Sequence, residues 1–497
     1  MIISSSFDAA YRRAALGNCV LRRSDALLRT FFRTEFPPHS VQRFSPVSQD
    51  EIKRYLQDHP ETKYIDGLLF DMCGFALGKR YPIRDAAKLY EDGLTMCAAV
   101  TLLDATGNTS DPKGFGVSDG DPDALAFPIP GTLSTVPWAA EPTAQVLMSM
   151  RRPGSGDIVP FEPRQVLQRV ADRFEELNLT PVVALELEFY LIDLERDAEG
   201  GPLPVRSPAT GRRMDSKKVY SMDTLDEFSD VLGAITDACA AQGVPASVAS
   251  TEFAPGQFEL NLNHVADPIQ AADHACLLRR CVKSVARRHG MDATFLSKPY
   301  AEESGSGLHI HISFLDSDGR NIFDESVDSQ ETRMRHAMAG LQATMGQSMA
   351  FFAPNLNAFR RFEPNLFVPV TTDWGYDNRS VAFRIPSGRG PAKRIEHRVA
   401  GADANPYLTL ACVLAGLHHG LSRELEPISP PRDGNAGEEV DPALPLTIWR
   451  ALDALPEAEI LKEYLGADYV DIYHTVKSNE FLDLLSAPLP REMQWYL

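Results

Sequence analysis

Leu185-Glu186-Leu187-Glu188-Phe189-Tyr190 follows the apolar run Pro181-Val182-Val183-Ala184, and its two carboxylates stand two residues apart. A strand turns residues i and i+2 to the same face, so both acids project together. Two like charges side by side on an apolar strand are costly unless cations compensate them. Basic side chains opposite would be the structural remedy and a bound metal the chemical one. Thr251-Glu252-Phe253-Ala254-Pro255-Gly256-Gln257-Phe258-Glu259 offers two more acids across a Pro-Gly turn. A hairpin could bring Glu252 and Glu259 to one site, although acids beside turns are commonly just solvated. Ser304-Gly305-Ser306-Gly307 then feeds Leu308-His309-Ile310-His311-Ile312-Ser313. This reads as a glycine loop entering a strand, with both histidines on one face. One histidine alone would suit a core; two at strand spacing after such a loop suit a site equally well.

The arginines form a second inventory. Arg394, Glu396 and Arg398 alternate along Arg394-Ile395-Glu396-His397-Arg398, either as an ion-pair ladder or as an anion site. Arg379 lies in Asn378-Arg379-Ser380, Arg384 in Phe383-Arg384-Ile385-Pro386, and Arg361 in Asn357-Ala358-Phe359-Arg360-Arg361. Planar guanidinium forks match phosphate and carboxylate oxygens. Carboxylates for hard cations together with arginines for phosphates are the inventory of phosphoryl transfer. No Walker loop and no GxGxxG strand–helix unit is present, so a nucleotide would sit on some other fold.

These residues need elements to carry them. From Ile65 the text is β-like, with Ile65 to Asp71 leading into a Gly74 turn, and short strands punctuated by Gly and Pro continue to about residue 150. Arg152-Pro153-Gly154-Ser155-Gly156 reads as a linker. Val166, Leu167, Val170, Phe174 and Leu177 then predict a helical stretch from Pro163 to Leu177. Strand and helix signals alternate to the end, as expected of a larger domain mixing helices with sheet. Residues 425–442, rich in Pro, Gly and acids, read as a surface loop.

At 497 residues the chain is long enough for two or three domains. Its net charge of −19 argues against a nucleic-acid partner. No run approaches the ~20 apolar residues of a membrane span. The seven cysteines are scattered without a CxxC pair, which fits neither a disulfide framework nor a thiolate zinc site, so a reducing cytoplasmic compartment is expected. Residues 1–46 carry seven arginines, no lysine and three acids, with Ser4 to Ser6 near the start. That is the composition of an organelle-targeting peptide; a disordered extension, or a coding start placed too far upstream, are the plainer readings.

In order along the chain these segments resemble the glutamine synthetase family. The carriers are Phe70-Asp71-x-x-Gly74, Glu186-x-Glu188-Phe189-Tyr190, Glu252 through Gln257-Phe258-Glu259, and Ala293-Thr294-Phe295-Leu296-Ser297-Lys298-Pro299. They continue with Gly305 through His311, Asn378-Arg379-Ser380, Arg394 through Arg398, and Ala404-Asn405-Pro406-Tyr407-Leu408. The resemblance implies an α+β fold: an N-terminal β-grasp domain over 47–152 after the 1–46 extension, then a catalytic domain over 158–497 built on an antiparallel half-barrel with surrounding helices. It implies Mg²⁺ or Mn²⁺, at least two per site, with Glu188, Glu252 and Glu259 on one ion and Glu186, His309 and Glu396 on the other. It implies ATP, served by His311, Arg379, Arg384 and Arg394, and glutamate, bound at Gly305, Arg361 and Arg398. Asp71 would receive the incoming amine from a neighbouring subunit of a homo-dodecamer, and Asp71, Arg379 and Arg361 are the expected catalytic set.

The chain departs from the ammonia-using pattern at two positions. Those members carry a glutamate six residues after the Arg361 position; here that residue is Phe367. Phenylalanine cannot move a proton but can line a pocket for a carbon chain. Members acting on larger amines, notably γ-glutamylpolyamine synthetases, often lack that glutamate, and this chain resembles them most. The second departure is Ser304, where ammonia-using members commonly have asparagine. The expected reaction is ATP-driven formation of a γ-glutamyl amide from glutamate and putrescine or a polyamine, with an ordinary ammonia-using glutamine synthetase as the alternative.

Overall fold

The computed structural model describes residues 48–324, 330–486 and 488. The arginine-rich segment 1–46, with its targeting and disorder readings, lies outside them. Six strands form the first sheet: β1 (Tyr64–Phe70), β2 (Ala76–Pro82), β3 (Leu94–Cys97), β4 (Asp123–Pro128), β5 (Ser134–Thr135) and β6 (Thr143–Arg151). They are ordered β2-β1-β6-β4-β3, with β5 also on β6. β1 and β6 run parallel, and the other pairs antiparallel. The β1–β2 turn is closed by Asp71, whose carboxylate accepts the N–H of Cys73 at 3.0 Å and of Phe75 at 2.8 Å. Gly74 sits there at φ +78°, the left-handed conformation that favours glycine.

After β6 the expected helix begins at Pro163, but it is α-helical only to Asp172 and tightens to a 3₁₀ turn over Arg173–Leu177. Asn178 ends it at φ +53°. Val166, Leu167, Val170 and Phe174 are the buried stripe, as their spacing requires.

The second sheet holds nine strands: β7 (Thr180–Arg196), β8 (Pro202–Pro204), β9 (Ala246–Thr251), β10 (Gln257–Leu262), β11 (Asp292–Thr294), β12 (Leu308–Leu315), β13 (Trp374–Tyr376), β14 (Phe383–Ile385) and β15 (Ile395–His397). The path is β13-β14-β15-β12-β7-β10-β9, and β8 and β11 also pair with β7. Only β13 and β14 run parallel. β7 alternates cleanly, with Val183, Leu185, Leu187 and Phe189 fully buried on one face and Glu186 and Glu188 on the other. Helices Pro268–Arg288, Gln330–Phe352 and Pro406–Ser422 supply much of the core.

Polar ties join these elements. Arg164 grips Asp273 at 3.0 and 3.1 Å, and the Tyr407 hydroxyl donates to the same carboxylate at 2.7 Å. Asn405 caps helix Pro406–Ser422 and donates to the Asp71 carbonyl at 2.8 Å. The buried Glu162 carboxylate accepts the Met150 N–H at 2.9 Å, joining β6 to the start of helix Pro163–Asp172. No helix among the described residues is long and apolar enough to cross a membrane.

Candidate active site

The register of the second sheet assembles the site. Glu259 of β10 stands opposite Glu188 of β7, Glu186 opposite His309 of β12, His311 opposite Glu396 of β15, and Glu396 opposite Arg384 of β14. Residues directly opposite share a face, so one face of five neighbouring strands carries the acids, the histidines and an arginine. His309 is central: its Nδ1 lies 3.5 Å from Glu186 and 4.0 Å from Glu396, and its Nε2 lies 4.0 Å from Glu188. His311 Nε2 is 2.8 Å from Glu186. Glu252 enters from the β9–β10 hairpin, whose loop closes through the Glu252 N–H to the Gln257 carbonyl at 2.9 Å.

The donor atoms of Glu186, Glu259 and His309 lie within 4.8 Å of one another, as do those of Glu186, His311 and Glu396. Glu186 therefore belongs to both groups. The expected trio of Glu186, His309 and Glu396 is also close, whereas the expected trio of Glu188, Glu252 and Glu259 forms no such group among the described residues; Glu188 lies 4.0 Å from His309, and its charge bears on Glu252. The charges fit a cation. Burial first, then the repulsion of Glu188, pushes Glu252 up to about 8; burial with the charges of Glu186 and Glu188 pushes Glu259 up to about 9. Burial opposes ionisation of Glu186 too, but His309 and His311 hold it well below the usual range. Glu396 behaves alike: burial is overcome by Arg398, His309, His311 and Arg384, which bring it to about 2. Oxygen donors with one imidazole suit a hard divalent cation.

The arginines split into two groups. Arg384 and Arg398 both donate to Glu396, Arg384 at 2.6 Å, and Arg394 Nε donates to His311 Nδ1 at 3.0 Å. Arg361 is fully buried and donates to the Val399 carbonyl at 3.2 Å. The Nε atoms of Arg361, Arg384 and Arg398 are buried with no acceptor among the described residues. A buried donor without a partner is costly, and three around one cluster point to an anionic ligand. Arg379 is exposed, and its charge reaches Glu252. Gly305 is required by crowding, since a Cβ there would come within 2.7 Å of the Arg361 side chain and 2.8 Å of the Ser297 carbonyl.

Asp71 lies at the end of β1 in the first sheet, buried, and burial pushes its carboxyl up to about 6. Phe367 is 60 % exposed, and its ring centroid is 6.2 Å from that of Phe253. Two residues were given no role by the motifs. Gln257 donates to the Gly305 carbonyl at 3.0 Å and reaches Glu188 at 3.4 Å, so it ties the glycine loop to the acids. Asn261 donates to Glu259 at 3.3 Å. Its period of two from Glu259 was the available signal. The 425–442 segment is a largely exposed surface loop, as expected, and it is tied down: Asn378 Nδ2 donates to the carbonyls of Arg432 and Gly434 at 3.1 and 2.7 Å.

A strand-borne cluster of carboxylates and histidines facing arginines with spare donors is the site of a metal-assisted phosphoryl-transfer enzyme. Residues 160–496 match the description "Glutamine synthetase, catalytic domain", and the chain belongs to the glutamine synthetase family. It is 41 % identical to Gamma-glutamylputrescine synthetase PuuA of Escherichia coli (strain K12), over 93 % of this chain and 97 % of that one. It is 30 % identical to the Glutamate–isopropylamine ligase of a Pseudomonas species, over 82 % of this chain and 90 % of that one. Among solved structures, "GmaS/ADP complex-Conformation 1" superposes with a TM-score of 0.76 at 25 % identity, covering 90 % of this chain and 99 % of the other.

Proposed function

We propose that this protein is an ATP-dependent ligase joining the γ-carboxylate of glutamate to a primary amine with a carbon chain, putrescine or a related polyamine, by way of γ-glutamyl phosphate. The observation that carries the reading is the cluster of acids and histidines faced by three buried arginine donors without acceptors, beside a loop that presents Phe367. The names borne by the amine-ligating relatives support it.

Glu186, Glu188, Glu252, Glu259, His309 and Glu396 would hold two divalent cations, Mg²⁺ or Mn²⁺, which when bound neutralise the charge of the transferring phosphate. His311, Arg379, Arg384 and Arg394 would take phosphate oxygens through planar or imidazole donors. Arg361, Arg398 and the Gly305 backbone would orient glutamate, aiming its γ-carboxylate at the phosphoryl group. Asp71, supplied by a neighbouring copy in a homo-dodecamer, would receive the amine as its ammonium and, ionised above about pH 6, accept its proton. Phe367 has no acid–base chemistry to offer and covers apolar substrate surface instead. Closure over the acyl phosphate must also exclude water, which would hydrolyse it.

The test is glutamate-dependent release of phosphate from ATP, run in parallel with ammonium, putrescine, spermidine, ethanolamine and methylamine. Preference for diamines and polyamines is expected. Turnover with ammonium and with no amine would overturn the proposal and leave an ordinary glutamine synthetase.

A further inference from the structure

A chain of contacts links the loop after Glu252 to the loop that carries Phe367 and on to the Arg379 corner. It starts at Glu252, whose next residue is Phe253. The rings of Phe253 and Phe367 lie 6.2 Å apart with planes at 29°. Two residues before Phe367, the Asn365 N–H donates to the Gly437 carbonyl at 2.8 Å. The neighbouring Ala436 N–H donates to Ser380 Oγ at 2.9 Å. Ser380 follows Arg379, whose positive charge bears on Glu252. Asn378 fastens the same corner, because its Oδ1 accepts both the Ser380 N–H at 3.0 Å and the Ser380 hydroxyl at 2.6 Å.

Single exposed phenylalanines are ordinary, but here Phe253 and Phe367 are 45 % and 60 % exposed with Leu366 beside them at 37 %. Polar bonds hold the loops on which Phe253, Leu366 and Phe367 expose their apolar side chains. Ammonium has no carbon surface for such side chains to cover. An alkyl chain does.

We infer that Phe253 acts with Phe367 as the specificity-determining pair, stacking on the carbon chain of the amine and selecting substrates by its length. This rests on the ligase reading above and adds to it a residue, Phe253, that chain motifs do not mark. Each methylene buried against the rings is worth about a factor of four in kcat/KM.

The experiment compares methylamine, propylamine, butylamine and 1,4-diaminobutane as acceptors for the full-length enzyme with glutamate, ATP and Mg²⁺. For the unaltered chain kcat/KM rises with chain length. Phe253→Ala and Phe367→Ala each flatten that rise, lowering the butylamine-to-methylamine ratio by about tenfold or more. In the double variant the two effects are less than additive, because both rings bind one chain. Each ratio is taken within one preparation, so a loss of folded protein cannot mimic the result. An unchanged chain-length dependence in Phe253→Ala overturns this inference and leaves the ligase reading standing. Failure of the unaltered enzyme with every amine overturns both.

Discussion

At the scale of single residues, protons stand in for missing positive charge in the acid cluster. Glu252 at about 8 and Glu259 at about 9 hold protons at neutral pH because burial and neighbouring carboxylates disfavour their ionised forms. A divalent cation must displace those protons. Apparent Mg²⁺ affinity is therefore expected to rise as pH increases from about 6 to 9, with proton release on binding. Titration calorimetry in two buffers of different ionisation enthalpy reads both effects, and a pH-independent affinity without proton release would contradict the assignment. Phe367 makes a second prediction. Phe367→Glu would place a carboxylate at the position proposed to line the amine, and the ratio of ammonium to putrescine turnover should increase about a hundredfold or more, the lower end of general-base assistance. Parallel steady-state assays check it; an unchanged ratio would mean that the loop does not face the amine.

Elements are held together by buried polar groups whose protonation matters. Glu162 ties the start of helix Pro163–Asp172 to β6, and burial pushes its carboxyl from 4.5 up to about 7. The folded state then binds the proton more tightly than the unfolded state. The stabilising contribution is full below about pH 4.5 and is lost as pH rises through 7. Glu162→Gln, which keeps the carbonyl acceptor for the Met150 N–H, should flatten stability against pH in that window, as followed by urea denaturation from pH 4.5 to 8. The triad of Arg164, Asp273 and Tyr407 is the other joint. Asp273→Ala strands a largely buried guanidinium and a buried hydroxyl, and should cost about 3–5 kcal/mol in the same assay. A loss under about 1 kcal/mol would show that water replaces the carboxylate there.

On the scale of the whole molecule, the candidate residues come from both sheets, and the Asp71 carboxylate is engaged with its own turn. In a shared-site oligomer, Asp71→Asn and Glu259→Gln would each inactivate, but by damaging opposite sides of the same interface. Mixed oligomers of the two variants would then recover activity, since some interfaces would carry neither lesion. Co-expression with two affinity tags, followed by the phosphate-release assay, checks this. No recovery in purified mixed oligomers would place Asp71 in its own chain's site or outside the reaction.

Much of the site was legible because strand periodicity is local. Spacings of two at Glu186 and Glu188, and at His309 and His311, assign each pair to one face without knowledge of any partner strand. The β1 turn at Gly74 and the apolar stripe from Val166 to Phe174 were readable for the same reason, although tightening to a 3₁₀ turn after Asp172 was not. Only the tertiary structure decided how the faces meet. Register between β10, β7, β12, β15 and β14 is set by burial of the opposite face against helices distant in sequence. That packing made Glu186 common to two groups of ligand atoms, clamped the 425–442 segment to Asn378, and brought Phe253 to Phe367 across more than a hundred residues. By itself the sequence determined which chemical groups the protein owns and the local face each occupies, because both follow from residue type and backbone period. Which groups act together depended on non-local packing, which no spacing along the chain records.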